Sequence, residues 1–162
     1  MLQKWFNHKL RKEVKMKDGI QDKVQIKGKF HLQLFDKDGK LKDERLLENT
    51  VPANGLAHIA DQLAAKAQAA MGWMAIGTGT PSATLLGAEL DRNALTSKTS
   101  STNVVTYVGD WAAGDGTGAL IEAGIFNVVT ANTITMLCSA SFPVVNKGAA
   151  DTLAITWTLT AS

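Results

Sequence analysis

The sequence predicts a mainly β protein: an antiparallel β-sandwich or barrel-like domain of about seven strands, with one amphipathic helix and an N-terminal basic amphipathic arm. Apolar and polar residues alternate over 24–34 and 153–160, as in half-buried strands. After Met71, lysine and arginine become rare, and glycine, threonine, alanine and valine dominate. The intervening turns are too short for repeated crossover helices, so we expect antiparallel pairing.

Length and composition favour one folded domain. The chain has 162 residues, of which 45% are hydrophobic and 20% charged, and such a chain can bury a core without metal or disulfide support. Its single cysteine, Cys138, excludes an internal disulfide and a multi-cysteine zinc cluster. The sequence has neither the roughly 18-residue apolar run of a membrane span nor a secretory signal. We therefore expect cytoplasmic synthesis and no membrane partner.

The N-terminal residues 1–20 are predicted to form an arm ahead of a single β-rich domain at 21–162. Residues 1–30 hold nine lysine and arginine residues against three acidic ones, a pattern that fits either an anionic partner or a solvated amphipathic arm. Apolar side chains at helical spacing form a stripe that must pack on its own domain or on a partner, and both remain open. The candidate partner-binding residues are Leu2, Trp5, Phe6, Leu10, Arg11 and Val14.

The domain is predicted to begin with a hairpin over 24–51. Gly28 falls on the apolar side of its first strand, where a bulge would fit, and the pair Asp38-Gly39 indicates the turn. A helix is predicted over 53–70, because apolar residues recur there at helical spacing and should cover a sheet. The β core at 71–162 contains the remaining predicted strands, near 72–77, 102–111, 119–126, 132–142 and 151–161.

Two short patterns suggest ligand chemistry but lack residues that it needs. Gly77-Thr78-Gly79-Thr80 resembles a phosphate loop, yet no Gly-Lys-Ser/Thr follows, so a tight turn at a strand end is the better interpretation. The segment 36–39 resembles the start of a calcium loop, but Arg45 stands where that loop needs glutamate. We therefore predict no cofactor and no metal site.

The titratable residues form no recognisable catalytic group. Cys138 lies in a predicted strand, where a lone cysteine is usually a small buried hydrophobe. Glu122 is the most conspicuous carboxylate in an apolar setting, and we expect it at a strand edge or interface, paired with Arg92 or Lys147. No Gly-x-Ser-x-Gly nucleophile pattern is present, so we predict no catalytic residue and no enzyme. The three histidines lie on separate predicted elements: His8, His31 and His58.

Three short segments, in their order along the chain, carry a family resemblance. They are Ile-Gly-Thr-Gly-Thr at 76–80, Glu-Ala-Gly-Ile-Phe at 122–126 and Ile-Thr-Trp-Thr at 155–158. Together with the preceding hairpin and helix, they resemble small structural proteins of tailed bacteriophages, which occur as capsid-decoration, fibre or tail-associated components. The likeness covers about residues 24–160, leaves the arm outside the shared pattern and brings no catalytic residues with it.

The resemblance implies a protein of the virion that binds other virion proteins, such as the major capsid protein or tail and neck proteins. We expect a capsid decoration protein, with a connector or adhesin of the tail, neck or fibre as the alternative. Nucleic-acid binding by the arm and a small hydrolase are less favoured alternatives. We also expect a homo-oligomer, for which a trimer would suit local threefold positions on a shell.

Overall fold

The computed structural model describes residues 25–133 and 135–162, so the predicted arm lies outside the described residues. The described part forms nine strands and one helix. In chain order they are β1 (Ile26–Phe35), β2 (Leu41–Glu48), α1 (Ala53–Leu63), β3 (Trp73–Gly77), β4 (Glu89–Ala94), β5 (Ser97–Ser101), β6 (Val104–Trp111), β7 (Gly118–Phe126), β8 (Met136–Lys147) and β9 (Thr152–Ala161).

The strands form two antiparallel sheets. The five-stranded sheet has the order β2-β1-β9-β6-β5, and the four-stranded sheet has the order β4-β3-β7-β8. The predictions of a mainly β fold and of antiparallel pairing are therefore confirmed, although the described strands close no barrel. The two strands missing from the prediction, β4 and β5, are edge strands with few apolar residues, so they give almost no period-two hydrophobic signal.

The main hydrophobic core contains buried residues from strands of both sheets. Phe30 of β1 stands opposite Trp157 of β9, and their ring centroids are 4.9 Å apart in an edge-to-face arrangement. Phe142, from β8 of the other sheet, stacks on Phe30 at 5.3 Å. Aromatic pairs of this kind contribute about 0.5–1.5 kcal/mol beyond the area that they bury, and this group connects the two sheets directly.

Strand β1 contains no bulge at Gly28, contrary to the sequence prediction. Its pairing with β9 continues unbroken through Gly28. A Cβ atom at this position would lie 1.3 Å from Oδ1 of Asn49, so the Asn49 side chain occupies the space. The glycine therefore leaves room for the Asn49 side chain and does not alter the strand register.

Helix α1 ends at Leu63, so the predicted helix over 53–70 is too long. The Ala65 N–H donates to the Gln62 carbonyl, and the Lys66 N–H donates to the Asp61 carbonyl, which closes the helix in a Schellman pattern. Ala65 takes the left-handed conformation that such an ending requires, at φ 52°. Glycine is the usual residue there, and its absence removed the signal for a helix end.

The apolar stripe of α1 only partly covers a sheet, which also corrects the prediction. Ile59 packs against the core, whereas Leu56 and Leu63 are 52% and 86% exposed. The helix approaches β8 through Gly55, where a Cβ atom would lie 1.9 Å from the Leu137 carbonyl oxygen. This close backbone contact fixes the helix across one end of the two sheets and directs much of its stripe outward.

Gly55→Ala should lower the free energy of unfolding by about 1–3 kcal/mol, because the new methyl group has no space against β8. Helix propensity alone predicts the opposite sign, a gain of about 1 kcal/mol. Gly72→Ala is the matched control, since its Cβ atom would meet nothing nearer than 3.9 Å. Urea denaturation of the three proteins measures both effects. A Gly55→Ala protein more stable than the parent would contradict the close packing of α1.

Candidate functional site

The predicted partner-binding residues all lie outside the part of the chain that the structure describes. They are Leu2, Trp5, Phe6, Leu10, Arg11 and Val14. The described chain begins at Gln25, whose backbone N–H donates to the Ser162 carbonyl at 2.7 Å. The arm therefore joins the domain where β1 begins beside the end of β9, and its binding role remains a prediction.

Two of the segments that carry the family resemblance meet at Glu122. In the four-stranded sheet, Gly77 of β3 pairs with Glu122 of β7. The Glu122 side chain is fully buried. Its Oε1 accepts hydrogen bonds from the backbone N–H groups of Gly79 at 2.9 Å and Ala88 at 2.8 Å, and its Oε2 accepts one from Gly87 at 2.8 Å. One carboxylate thus holds both ends of segment 78–88.

Packing requires glycine both at the end of β3, just before this segment, and within the segment. A Cβ atom on Gly77 would lie 2.4 Å from Oε1 of Glu122, and one on Gly87 would lie 2.2 Å from the Thr80 carbonyl oxygen. Either addition would collide with the buried carboxylate or with backbone. The chain bends at Thr78 and Gly79 after the end of β3, in agreement with the predicted turn. Within the Gly-Thr-Gly-Thr pattern, the Gly79 N–H donates to a carboxylate of the same protein, and the Thr78 N–H donates to the Ala88 carbonyl.

Segment 78–88 covers the outer face of the four-stranded sheet. Leu86 is 1% exposed and lies in a second, smaller apolar cluster with Ala75, Phe126 and Met136. Ala75 and Phe126 alternate along their strands with main-core residues and therefore lie on the opposite face of the sheet, where Leu86 packs against them. Glu122 and Leu86 together attach the segment, one through hydrogen bonds and the other through apolar contact.

The expected pairing of Glu122 with Arg92 or Lys147 is wrong. Arg92 instead forms a two-pronged ion pair with Glu89, with both N–O distances at 2.7 Å. Its guanidinium also donates to the Val128 carbonyl at 2.8 Å and lies 3.7 Å from the centre of the Phe126 ring. The Arg92 and Glu89 side chains are only 4% and 3% exposed, so this pair forms part of the interior.

Lys147 belongs to a separate buried group at the turn between β8 and β9. Its Nζ donates to the carbonyls of Ala112 at 3.0 Å and Asp151 at 2.7 Å. Burial lowers the pKa of Lys147, and nearby aspartates oppose that shift. The Asp151 carboxylate accepts hydrogen bonds from Lys42 Nζ at 2.6 Å and from the Gly148 N–H at 2.7 Å. These two contacts, the lysine first, hold the pKa of Asp151 below its ordinary value.

Other candidate residues have structural partners. Cys138 is fully buried, which raises the pKa of its thiol well above the ordinary value, so the expected small buried hydrophobe is confirmed. His31 lies on the polar side of β1, with Nε2 2.7 Å from Oε1 of Glu44. In the predicted calcium-like segment, Asp36 accepts backbone hydrogen bonds from Asp38 and Lys40, which confirms a hairpin turn.

Among residues 25–133 and 135–162, no group of three or more histidine, cysteine or acidic side chains is placed to hold a metal ion. No helix of that part has the length and apolar character to cross a membrane. Glu122 and Cys138 have no exposed surface, so in this conformation neither reaches a molecule in solvent. Comparison of the chain with protein-family models, with curated proteins and with solved structures found no match.

Sequence reasoning missed the Arg92–Glu89 pair and the attachment of segment 78–88. In a regular strand, a spacing of three residues places the side chains of Glu89 and Arg92 on opposite faces, so the sequence argues against an ion pair between them. Irregular pairing between β3 and β4 at Gly77 removes that restriction. The partners of Glu122 are backbone amides, which no side-chain type reveals.

Glu122→Gln should lower the free energy of unfolding by about 1–3 kcal/mol, because an amide nitrogen cannot accept the hydrogen bonds that a carboxylate accepts. In Glu122→Gln, the backbone amides of Gly79, Gly87 and Ala88 should exchange hydrogen faster than in the parent. This increase should exceed that of the β9 amides. Glu48→Gln, on exposed β2, is the control and should change stability by less than about 0.5 kcal/mol. Unchanged protection of the three amides would contradict the attachment.

Asp151→Asn should remove part of the pH dependence of stability. Because the folded pKa of Asp151 is lowered, its ionised form stabilises the fold above the ordinary pKa near 3.8, and this contribution is lost as pH falls through the folded value. The stability difference between the parent and Asp151→Asn should thus be constant near neutral pH and narrow in acid. The stability difference between the parent and Lys42→Gln should also narrow in acid, but by less. Denaturation of the three proteins at a series of pH values measures these differences. Parallel curves of stability against pH for the parent and Asp151→Asn would contradict this assignment.

Proposed function

We propose that this protein is a structural component of the virion of a tailed bacteriophage, attached to the outside of the capsid through protein–protein contacts. The observation that carries the proposal is the contact at Glu122. Segments 76–80 and 122–126, which carry much of the family resemblance, form one hydrogen-bonded unit in this chain. Residues that resemble those of phage structural proteins are thus used together to build the scaffold.

The architecture supports a role based on surface burial. We interpret the two sheets as the layers of a β-sandwich, with an aromatic group between them and segment 78–88 fixed over one outer face. A module of this kind acts by presenting a fixed surface to a shell or to copies of itself. A stable interface buries roughly 1,600 Å² in total, and the predicted arm supplies aromatic side chains of the type that dominate interface energetics.

The position on the virion distinguishes decoration from the alternative of a tail, neck or fibre component. A decoration protein repeats across the shell and is therefore present in many copies, whereas a connector or adhesin is present in a few. We favour decoration by a homo-oligomer, with a trimer as the form that suits local threefold positions. Quantitative mass spectrometry of purified particles would measure the copy number.

Deletion of residues 1–17 should leave the domain folded and abolish its attachment to particles, because the aromatic stripe is removed while the described core is retained. Cosedimentation of purified protein with particles that lack it measures attachment, and circular dichroism controls for folding. Attachment of the truncated protein at undiminished affinity would contradict the role of the arm. A parallel titration with DNA at low salt tests the nucleic-acid alternative, which predicts binding that falls steeply with salt.

A further inference from the structure

Two adjoining apolar cavities open beside helix α1 at one end of the two sheets. Their volumes are about 260 and 180 Å³, and both are lined by Ile59, Tyr107 and Leu137. Tyr107 and Leu137 are 7% and 3% exposed and belong to the main core. The two cavities share core residues as their common lining, and we call the pair of cavities the end groove.

Apolar residues also form the rim of the end groove. Leu63, the last residue of α1, lines the larger cavity and is 86% exposed. Ile26, at the start of β1, lines the smaller cavity. Leu63 is the most exposed large hydrophobic residue of the described chain. A leucine in this position gains contacts only if another segment lies across the rim.

The described chain begins at this groove. Ile26 belongs to the lining. The preceding residue, Gln25, donates its backbone N–H to the Ser162 carbonyl at 2.7 Å, and its carbonyl accepts a hydrogen bond from the Ser162 N–H at 2.9 Å. Twenty-four further residues precede Gln25. Their apolar residues have helical spacing over residues 2–14, which predicts a helix with one aromatic face. The same chain thus contains both an apolar groove and an apolar stripe.

Charge favours contact between the arm and this domain. Residues 1–20 contain six lysine and arginine residues against two acidic ones, whereas residues 21–162 contain eleven against thirteen. The arm is therefore positively charged and the domain negatively charged. Such complementarity favours the encounter of two copies, in which each arm meets the domain of the other.

The spacer between the stripe and β1 indicates which copy receives the arm. Residues 15–23 are mostly polar and can extend to about 30 Å at 3.3–3.6 Å per residue. A return onto the groove of the same chain would need only a short turn, because Ile26 already lines that groove. The longer spacer suits an arm that crosses to a neighbouring molecule, as in the exchange of identical segments between protomers.

We propose that the end groove of one copy binds the N-terminal arm of a second copy, with Trp5 and Phe6 as the anchoring side chains. This inference rests on the proposed function, which holds that the arm binds protein. It adds that the end groove is the surface that binds the arm. An oligomer held together in this way presents several identical surfaces to a shell. Its attachment then gains from multivalency.

Substitution at the groove rim tests the proposal in the full chain without virions. Leu63→Lys places a positive charge where the basic arm would bind, and should weaken self-association at least tenfold, toward the 17.3 kDa monomer. Leu46→Lys is the matched control, because Leu46 is also a highly exposed leucine, at 73%, but lies on β2 away from the groove. Light scattering coupled to size-exclusion chromatography measures the mass. A monomeric parent, or equal effects of both substitutions, would overturn the proposal.

Cysteine cross-linking determines which copy supplies the arm. Asn7→Cys, which leaves the anchoring Trp5 and Phe6 in place, and Leu63→Cys are made in separate chains and mixed, with buried Cys138 retained as the unreactive native thiol. We expect more disulfide-linked dimer in the mixture than either variant forms alone, and none in the parent chain. A monomer with an internal disulfide in the doubly substituted chain, and no cross-link in the mixture, would place the arm on its own domain and overturn the proposal.

The virion role and the groove can fail independently. Binding of the parent protein to particles without cross-links in solution would reject the groove and leave the proposed function intact. Cross-links in solution without binding to particles would support the groove and reject the virion role.

Discussion

Three backbone N–H groups of segment 78–88 donate to the buried carboxylate of Glu122, and this contact determines how the four-stranded sheet is covered. A carboxylate removed from water incurs a large desolvation cost unless it is compensated. Hydrogen bonds to an ionised acceptor are shorter and stronger than those between neutral groups, and here three of them supply that compensation. Leu86 can then remain on the apolar patch around Phe126.

The long alternating strands could be predicted because each has one buried face. Residues 153–160 alternate in sequence, and β9 shows the matching burial along its whole length. The same reasoning did not find β4 and β5, because an edge strand with polar residues on both faces has no alternation to detect. The helix end was also unpredictable, since Ala65 occupies a position where glycine would normally have indicated it.

The candidate site was likewise predictable only in part. Glu122 stood out in the sequence as a carboxylate among apolar residues, but its partners could not be inferred, because backbone amides are common to all residue types. Arg92 and Lys147, the two cations that it was expected to meet, satisfy their hydrogen bonds with Glu89 and with backbone carbonyls. Only the pairing of distant strands shows which charged groups share a location.

The sheet edges favour association through side chains over association through strand pairing. At one edge of the five-stranded sheet, β5 has an exposed Ser-Lys-Thr-Ser-Ser sequence, and its Lys98 donates to the Met71 carbonyl at 2.8 Å. At one edge of the four-stranded sheet, β8 contains Pro143, which has no N–H to donate. Short, charged or proline-containing edges resist the addition of further strands.

The paired backbones of Gln25 and Ser162 also make this domain suitable for circular permutation. A short glycine-rich connection could join these two residues, and the new ends could be placed in the β1–β2 hairpin turn, where Gly39 has open space around it. That turn lies at the far end of β1, roughly 30 Å away for a strand of ten residues. A permuted protein would keep both sheets and carry any fused cargo at the opposite pole from the end groove.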